Sequence, residues 1–286
     1  MIEDQLRGLF PYNAGNGTFL QTMYARDVRR NMPRSVDEFC FDFDQANATW
    51  FSQNGEDGIV QFLLAQMDGS TKRCIEIGAG DGIENNTTNL AIHHGYRALM
   101  VDPSWALEHV ASAFFSRIHT TRERPPVLLR EFAEPSNVDE IVTKAGFDGE
   151  VDVLSIDVDG NDYWLFEALT VVQPRIVILE LNLQLGPDVS VAMPYTPGYA
   201  YWDQPVAGRL GASVRAYDAL ARRKGLVFVG CDRARVNGFW VRRGLLPAVP
   251  DGVGLDRIWA GRVRSEGAIA HQQHLLTTCD WVDIEA

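Results

Sequence analysis

Three glycines in five residues, Gly78, Gly80 and Gly82, end a short apolar-flanked run from Cys74 to Ile77 that carries one acid, Glu76. Glycine is required where a backbone turns with positive φ or where a ligand must lie against it, so this turn reads as a cradle for a nucleotide-sized ligand. Other apolar runs also end in polar groups: Asp102, Glu131, then Asp157 with Asp159 and Asp162, then Glu180 with Asn182. Carboxylates placed this way can take hydroxyl groups, accept a proton or hold a hard cation. Asp102 lies about twenty residues past the glycine turn, the spacing at which a carboxylate at the second strand tip takes ribose hydroxyls.

The elements that would position these groups follow from the apolar pattern. Strands are expected at residues 74–77, 96–102, 127–129, 151–157 and 175–180. Helices separate them: one from the glycine turn to about His94, then 105–118, 136–145 with Ser136 as cap, and 163–169. A further helix over 213–224 precedes strands at 226–231 and 236–241, which only a short turn separates. Alternation of this kind gives right-handed crossovers and a parallel sheet, and a short connection gives an antiparallel pair. The expected fold is α/β: a Rossmann-like, doubly wound, mostly parallel seven-stranded sheet with a terminal antiparallel hairpin. Ligands of such sheets bind at the carboxyl ends of the strands, which places all the polar groups above on one rim.

Upstream, Ile59, Phe62, Leu63 and Met67 recur at helical spacing. Asn54 and Asp57 read as an N-cap pair for that helix, while Gln53 and Asn54 also border the expected cofactor pocket. The long Pro/Gly/Tyr-rich stretch over 183–211 suggests a wall over a substrate, with Tyr195, Tyr199, Tyr201 and Trp202 as candidate lining, although packing of a long loop explains the same residues. Asp159-Gly160-Asn161 also reads as a plain turn with Asp162 as a helix cap. The chain therefore divides into an N-terminal extension at 1–50 (a lid or an oligomer contact, with a short helix over 19–30), a ligand-binding domain at 51–245, and a tail at 246–286 packed on that domain. The tail is expected to carry a helix near 268–276. His271 and His274 lie three apart on it, which makes half of a metal site at most. His93 and His94 read as the end of a helix rather than as catalysts.

At 286 residues, with 46% hydrophobic residues, the chain can bury a large core. Its formal net charge of -12 argues against non-specific nucleic-acid binding, which runs on Lys and Arg. Four scattered cysteines (Cys40, Cys74, Cys231 and Cys279) form no CxxC pair, so neither a structural zinc nor a disulfide framework is expected. No apolar run approaches a membrane span and no secretory leader is apparent, so a cytoplasmic enzyme is the default expectation.

The run Glu76-Ile77-Gly78-Ala79-Gly80-Asp81-Gly82, the acid at the second strand tip and the late hairpin together resemble class I S-adenosylmethionine-dependent methyltransferases. Three further stretches narrow the resemblance to FkbM-like methyltransferases: Ser52-Gln53-Asn54-Gly55-Glu56-Asp57-Gly58, Ser155 to Trp164, and the strand into Glu180-Leu181-Asn182. It covers roughly residues 48–243 and leaves both ends unexplained. The resemblance implies that Gly78, Gly80 and Gly82 let the backbone approach the amino-acid and ribose parts of S-adenosylmethionine, and that Glu76 stands close to that cofactor. It implies that Asp102 holds the ribose, that Glu131 meets the adenine edge, and that Asp157 lies beside the transferred methyl group. Asp157 and Asp159 are then the catalytic candidates. Asp157, Glu180 and Asn182, with Asp159 nearby, offer hard oxygen ligands that would suit magnesium. The implied activity is O-methylation of a small hydroxylated acceptor, such as a sugar or natural-product intermediate, without nucleic-acid or membrane partners. A homodimer is one option for its assembly. Two alternatives stand beside this activity. A nicotinamide-dependent oxidoreductase would need a glycine where Ile83 stands in the dinucleotide fingerprint. A cofactor-binding protein without catalysis would have little reason to cluster carboxylates on the rim.

Overall fold

The computed structural model describes residues 46–201, 206–246, 251–259 and 264–285. The expected extension helix over 19–30, Cys40 and Trp202 lie outside them. Elements run α1 (Glu56–Ala65), β1 (Arg73–Ile77), α2 (Thr88–His93), β2 (Arg97–Val101), α3 (Ser112–Phe115, entered through a π-helical turn at Leu107–Ala111), α4 (His119–Glu123) and β3 (Val127–Leu129). They continue with α5 (Val138–Lys144), β4 (Gly149–Ile156), α6 (Asp162–Ala168), β5 (Val172–Glu180), a 3-10 turn at Leu183–Leu185, β6 (Val191–Ala192) and α7 (Val214–Arg223). Last come β7 (Leu226–Cys231), β8 (Asn237–Arg242), α8 (Glu266–Thr278) and β9 (Val282–Asp283).

Seven strands form one sheet in the order β3-β2-β1-β4-β5-β8-β7. The pairs among β1 to β5 are parallel, and β8 is antiparallel to both β5 and β7. This is the Rossmann-like α/β sheet with a closing hairpin expected from the apolar pattern. A separate two-stranded sheet pairs β6 with β9, which ties the chain's end to the loop after β5.

Period-two alternation assigns each strand residue to a face. Ile75, Ile77, Leu154, Ile156, Val177 and Leu179 pack with α5, α6 and α7 in one buried cluster. Cys74, Met100, Val153, Ile176 and Ile178 pack with α1, α2 and α3 in the other. Burying one such Leu or Ile side chain contributes about 1.5–3 kcal/mol, so both faces hold the sheet. The alternation then places Glu76, Ser155, Asp157 and Glu180, one parity step along from these residues, on the α1 face at the carboxyl edge.

Local expectations are corrected at three helix starts. The helix after the glycine turn does not begin there: residues 82–87 are bends, and α2 starts only at Thr88. The first position of α1 is capped by Gly55, with φ 93°, and not by an Asn54–Asp57 pair. The residue before α5 is Asn137 rather than Ser136, and Asn137 Oδ1 accepts the Glu134 amide at 2.8 Å. Ser213 does cap α7, accepting from the Ala216 amide. The tail helix α8 is capped by Ser265 and packs against Leu183–Leu185, where Gln272 Nε2 donates to the Leu185 carbonyl. No helix among the described residues is long and apolar enough to cross a membrane. The free cysteines described, Cys74, Cys231 and Cys279, form no disulfide.

Candidate active-site cleft

The rim at the carboxyl ends of β1, β2, β3, β4 and β5 opens into a cleft of about 690 Å³. Its wall includes Gln53, Gly78, Gly80, Asp102, Glu131, Asp157, Asp159 and Glu180, so eight of the sequence-predicted positions meet there. Glu76, Asn54, Gly82 and Asn182 do not line it.

The three glycines serve three different purposes. A Cβ at Gly78 (φ 87°) would lie 1.6 Å from the Asp157 carbonyl oxygen, so this glycine lets the tips of β1 and β4 close on each other. A Cβ at Gly82 (φ 74°) would meet Ala111 at 2.7 Å and Leu107 at 2.9 Å, so this one seats the π-helical turn. Only Gly80 (φ 59°) has open space where a Cβ would stand. Its amide donates to Asp102 Oδ2 at 2.9 Å, which joins the glycine turn to the second strand tip. The other Asp102 oxygen accepts from the Ser104 amide at 2.7 Å.

Glu76 falls on the α1 face of β1 and is only 1% exposed. Burial outweighs its hydrogen bonds from Ser155, Thr87 and the Asn86 amide and lifts its carboxyl to about 7. It therefore braces the loop before α2 against β4, with Oε2 left unpartnered, instead of facing the cleft. Asn182 is spent in the same way. Its Nδ2 donates to the Gly208 and Leu210 carbonyls, both at 2.9 Å, and its Oδ1 accepts from the Gln184 amide. The oxygens that converge are those of Asp157, Asp159 and Glu180, which lie within 4.8 Å of one another. Asn182 is not part of that set, because its side chain fastens the long loop to the end of β5.

Burial pushes Asp157 well above the usual carboxylate range, and the nearby carboxylates of Glu180, Asp162, Asp159 and Glu76 push it the same way. Burial, then Asp162 and Asp159, raises Glu180 to about 8. Burial, then Asp102, raises Asp159, whose backbone is held at φ 57°. Asp162 points away from the cleft into its own turn: Oδ1 accepts the Val158 amide and Oδ2 the Gly160 amide, each at 2.8 Å. Residues 159–161 do form a turn, but Asp162 is the first residue of α6 and not its cap, a position that Asn161 takes; Asp157 and Asp159 on either side of Val158 face the cleft.

The same motif clamps the long loop. Asn161 Nδ2 donates to the Thr196 carbonyl at 2.8 Å, its Oδ1 accepts the Thr196 amide at 3.2 Å, and Trp164 Nε1 donates to the Met193 carbonyl at 2.7 Å. A Cβ at Gly160 would stand 2.4 Å from the Tyr199 ring, so glycine there admits the ring. Of the aromatic candidates, Tyr199 lines the cleft, whereas Tyr195 is directed to Glu134 and Tyr201 is not on the wall. His271 and His274 bond to Gln184 and Thr278 respectively and make no metal site together.

Gln53 reaches the cleft because Asp57 knots the segment before it. Asp57 Oδ2 accepts the amides of Trp50, Phe51 and Ser52 at 2.8, 2.7 and 3.0 Å. The Asn54 side chain instead bonds Glu56 at 3.4 Å. Asn237 and Phe132 are wall residues that sequence reasoning did not single out. The only sequence signal for Asn237 is a polar residue heading an apolar strand. Its meaning depends on the register that sets it opposite Glu180.

No protein-family profile and no curated protein matches the chain. Among solved structures it is similar to the O-methyltransferase from Bacillus cereus in complex with SAH (19% identity, TM-score 0.41, covering 84% of this chain and 98% of that one). It is also similar to the antibiotic-resistance methyltransferase Kmr (18% identity, TM-score 0.36, covering 68% and 95%). A third is an O-methyltransferase family protein from Burkholderia thailandensis (11% identity, TM-score 0.38, covering 80% and 71%). Likeness at this level carries no chemistry; the residues of the cleft have to.

Proposed function

We propose that the chain is an S-adenosylmethionine-dependent O-methyltransferase acting on a small hydroxylated molecule, such as a sugar or natural-product intermediate. The observation that carries this is the shared cleft: the open face of Gly80, the Asp102 carboxylate bonded to it and the half-buried Asp157 all meet one cavity. The cavity has the volume that a ligand of cofactor size needs. Loss of a helix start at the glycine turn counts against the dinucleotide alternative. A pyrophosphate is held by a helix N-terminus abutting the turn, and here α2 begins only at Thr88.

S-adenosylmethionine, when bound, would supply an electrophilic methyl group to an acceptor oxygen in line with the C–S bond, S-adenosylhomocysteine leaving as the neutral thioether. The chain's part is alignment, which can supply much of the rate. Gly80 and Asp102 hold the cofactor, with Asp102 toward the ribose, and Glu131 stands on the same wall for the adenine edge. Asp157 accepts the proton that leaves the acceptor hydroxyl. Its raised affinity for protons suits a base only when a positive charge beside it favours the carboxylate, and the cofactor's sulfonium is such a charge. A magnesium ion is a second reading, favoured by the convergence of three hard oxygen donors from Asp157, Asp159 and Glu180. It would acidify the hydroxyl directly.

Calorimetry with S-adenosylmethionine, S-adenosylhomocysteine and NAD tests the proposal. Both sulfur ligands should bind and NAD should not; absence of binding by either sulfur ligand sinks it. Asp102→Ala should weaken both by about tenfold to a hundredfold, the loss of hydrogen bonds to a charged group.

A further inference from the structure

The described wall of the cleft carries seven carboxylates (Asp81, Glu84, Asp102, Glu131, Asp157, Asp159 and Glu180) and no Lys, Arg or His. S-adenosylmethionine brings only one net positive charge to it. A second, independent feature stands beside the innermost acids. Asn237 is on the wall and only 6% exposed. Its Nδ2 donates to Glu56 Oε1 at 2.7 Å, and its Oδ1 has no partner. Glu56 is 1% exposed and its Oε2 accepts the Asn54 amide, so it fixes which end of the Asn237 amide stays without a partner. Register pairs Asn237 with Glu180 across β5 and β8, and directly paired residues project to the same face. Glu180 Oε2 is likewise buried without a partner.

We propose that the acceptor carries a protonated amine, received between Glu180, Asn237 Oδ1 and the Asp157–Asp159 pair. The inference rests on the methyl-transfer reading and names its substrate class. An ammonium has donors only, so it needs several acceptors and no competing donors, which is what these groups supply. Apolar and aromatic wall residues beside the acids, Val158, Val236 and Tyr199, suit an organic cation, whereas a hydrated metal ion gains nothing from them. Glu56 is the positioning residue: it turns the Asn237 amide so that oxygen, not nitrogen, meets the amine.

The test titrates protein loaded with S-adenosylhomocysteine, and protein alone, with two matched sets of probes. One is glucosamine, N-acetylglucosamine and glucuronate; the other is tyramine, N-acetyltyramine and hydroxyphenylpropanoate. The amines should bind about tenfold to a hundredfold tighter than their neutral partners, the range for a hydrogen-bonded charge, and the acids should bind worst. Asn237→Ala and Glu180→Gln should erase the preference while S-adenosylhomocysteine still binds, which shows that the variants are folded. Glu56→Gln should erase it too, because the new amide lets Asn237 rotate. Adding Asn237→Asp to Glu56→Gln should restore it, since one carboxylate oxygen accepts from the amide introduced at position 56 and the other faces the cleft. Equal binding of amine and neutral probes overturns the inference, as does manganese occupying the three acids with no amine preference. Failure of S-adenosylhomocysteine to bind sinks the methyl-transfer reading instead, because the amine preference is also read on protein alone.

Discussion

The glycine turn offers a sharp test, because its residues have identical side chains and different surroundings. Alanine at position 78 puts a Cβ 1.6 Å from the Asp157 carbonyl oxygen, far inside any allowed contact, on a backbone at φ 87°. The tip of β4 has to move. Left-handed backbone costs a non-glycine residue about 1–2 kcal/mol, and displacing a packed strand end should bring the total loss of stability to roughly 3–5 kcal/mol. Alanine at position 80 meets nothing within 4 Å on a backbone at φ 59°. Its cost to folding is the conformational one alone, about 1 kcal/mol. Its methyl group nevertheless enters the space the cofactor would occupy, so affinity for S-adenosylhomocysteine should fall about tenfold or more. Urea unfolding reads the first quantity and calorimetry the second. Gly78→Ala should therefore be mainly a folding defect and Gly80→Ala mainly a binding defect. A Gly80→Ala protein that binds S-adenosylhomocysteine like wild type would refute the idea that a ligand lies on this turn. A Gly78→Ala protein of near-normal stability would refute the close packing of β1 and β4.

Other expectations follow from charge and from the loop clamp. Glu180 is raised from 4.5 to about 8 and Glu76 from 4.5 to about 7, so between these limits the folded chain binds more protons than the unfolded one. Stability should be greatest below pH 4.5 for these two groups and fall as pH rises toward 8, and Glu180→Gln should recover upwards of ~2 kcal/mol at the alkaline end in urea titrations. A pH profile unchanged by Glu180→Gln would mean that its carboxyl is not raised in solution. Asn161→Ala removes both bonds to Thr196 and should free the wall over the acceptor. It should raise the acceptor KM severalfold with S-adenosylhomocysteine affinity unchanged; an equal loss of both would tie the loop to the cofactor half as well.

Much of the sheet was legible because its strands are apolar runs with a polar residue at the tip. Ile75, Leu154 and Val177 announce buried strands by type alone, and the short link before Asn237 announces the hairpin. Helix starts were less legible. Gly55 caps α1 because the backbone of residues 46–48 runs across that end, and a Cβ there would strike Asn47 Oδ1 at 1.2 Å. No local pattern reports such a neighbour. For the site, strand-tip position identified Asp102, Asp157 and Glu180 correctly as rim residues. It placed Glu76 and Asn182 there too, because sequence gives a residue's place along the strand but not the side to which it is bonded. Glu76 shares a sheet face with Asp157 and Glu180 but pairs with Ser155, one step deeper than Asp157, where Ser155, Thr87 and the Asn86 amide bond it. The carbonyls of Gly208 and Leu210, well over twenty residues away, claim Asn182. Asn237 stayed hidden for the same reason in reverse, since Glu56 and Glu180 become its neighbours only through tertiary pairing.

The cost of the cleft's acids separates the functional part of the rim from the structural part. Two buried carboxylates away from the cleft have a cation: Asp152 faces Arg175 at 3.6 Å, and Asp218 bonds Arg222 at 2.6 Å. Asp57 and Asp162 instead take backbone amides, two or three each. Asp157 and Glu180 have no cation facing them among the described residues of the wall, and each neighbour that shifts them is another acid. Crowded, buried acids take up protons in place of cations, so Asp157 and Glu180 hold theirs until something positive arrives to displace them. That is the state expected of a site that spends folding energy on a charged ligand. It also gives ligand binding a direction: a positive group entering between β4 and β5 would lower the proton affinity of Asp157, and so prepare the base that the proposed transfer of a methyl group to oxygen requires.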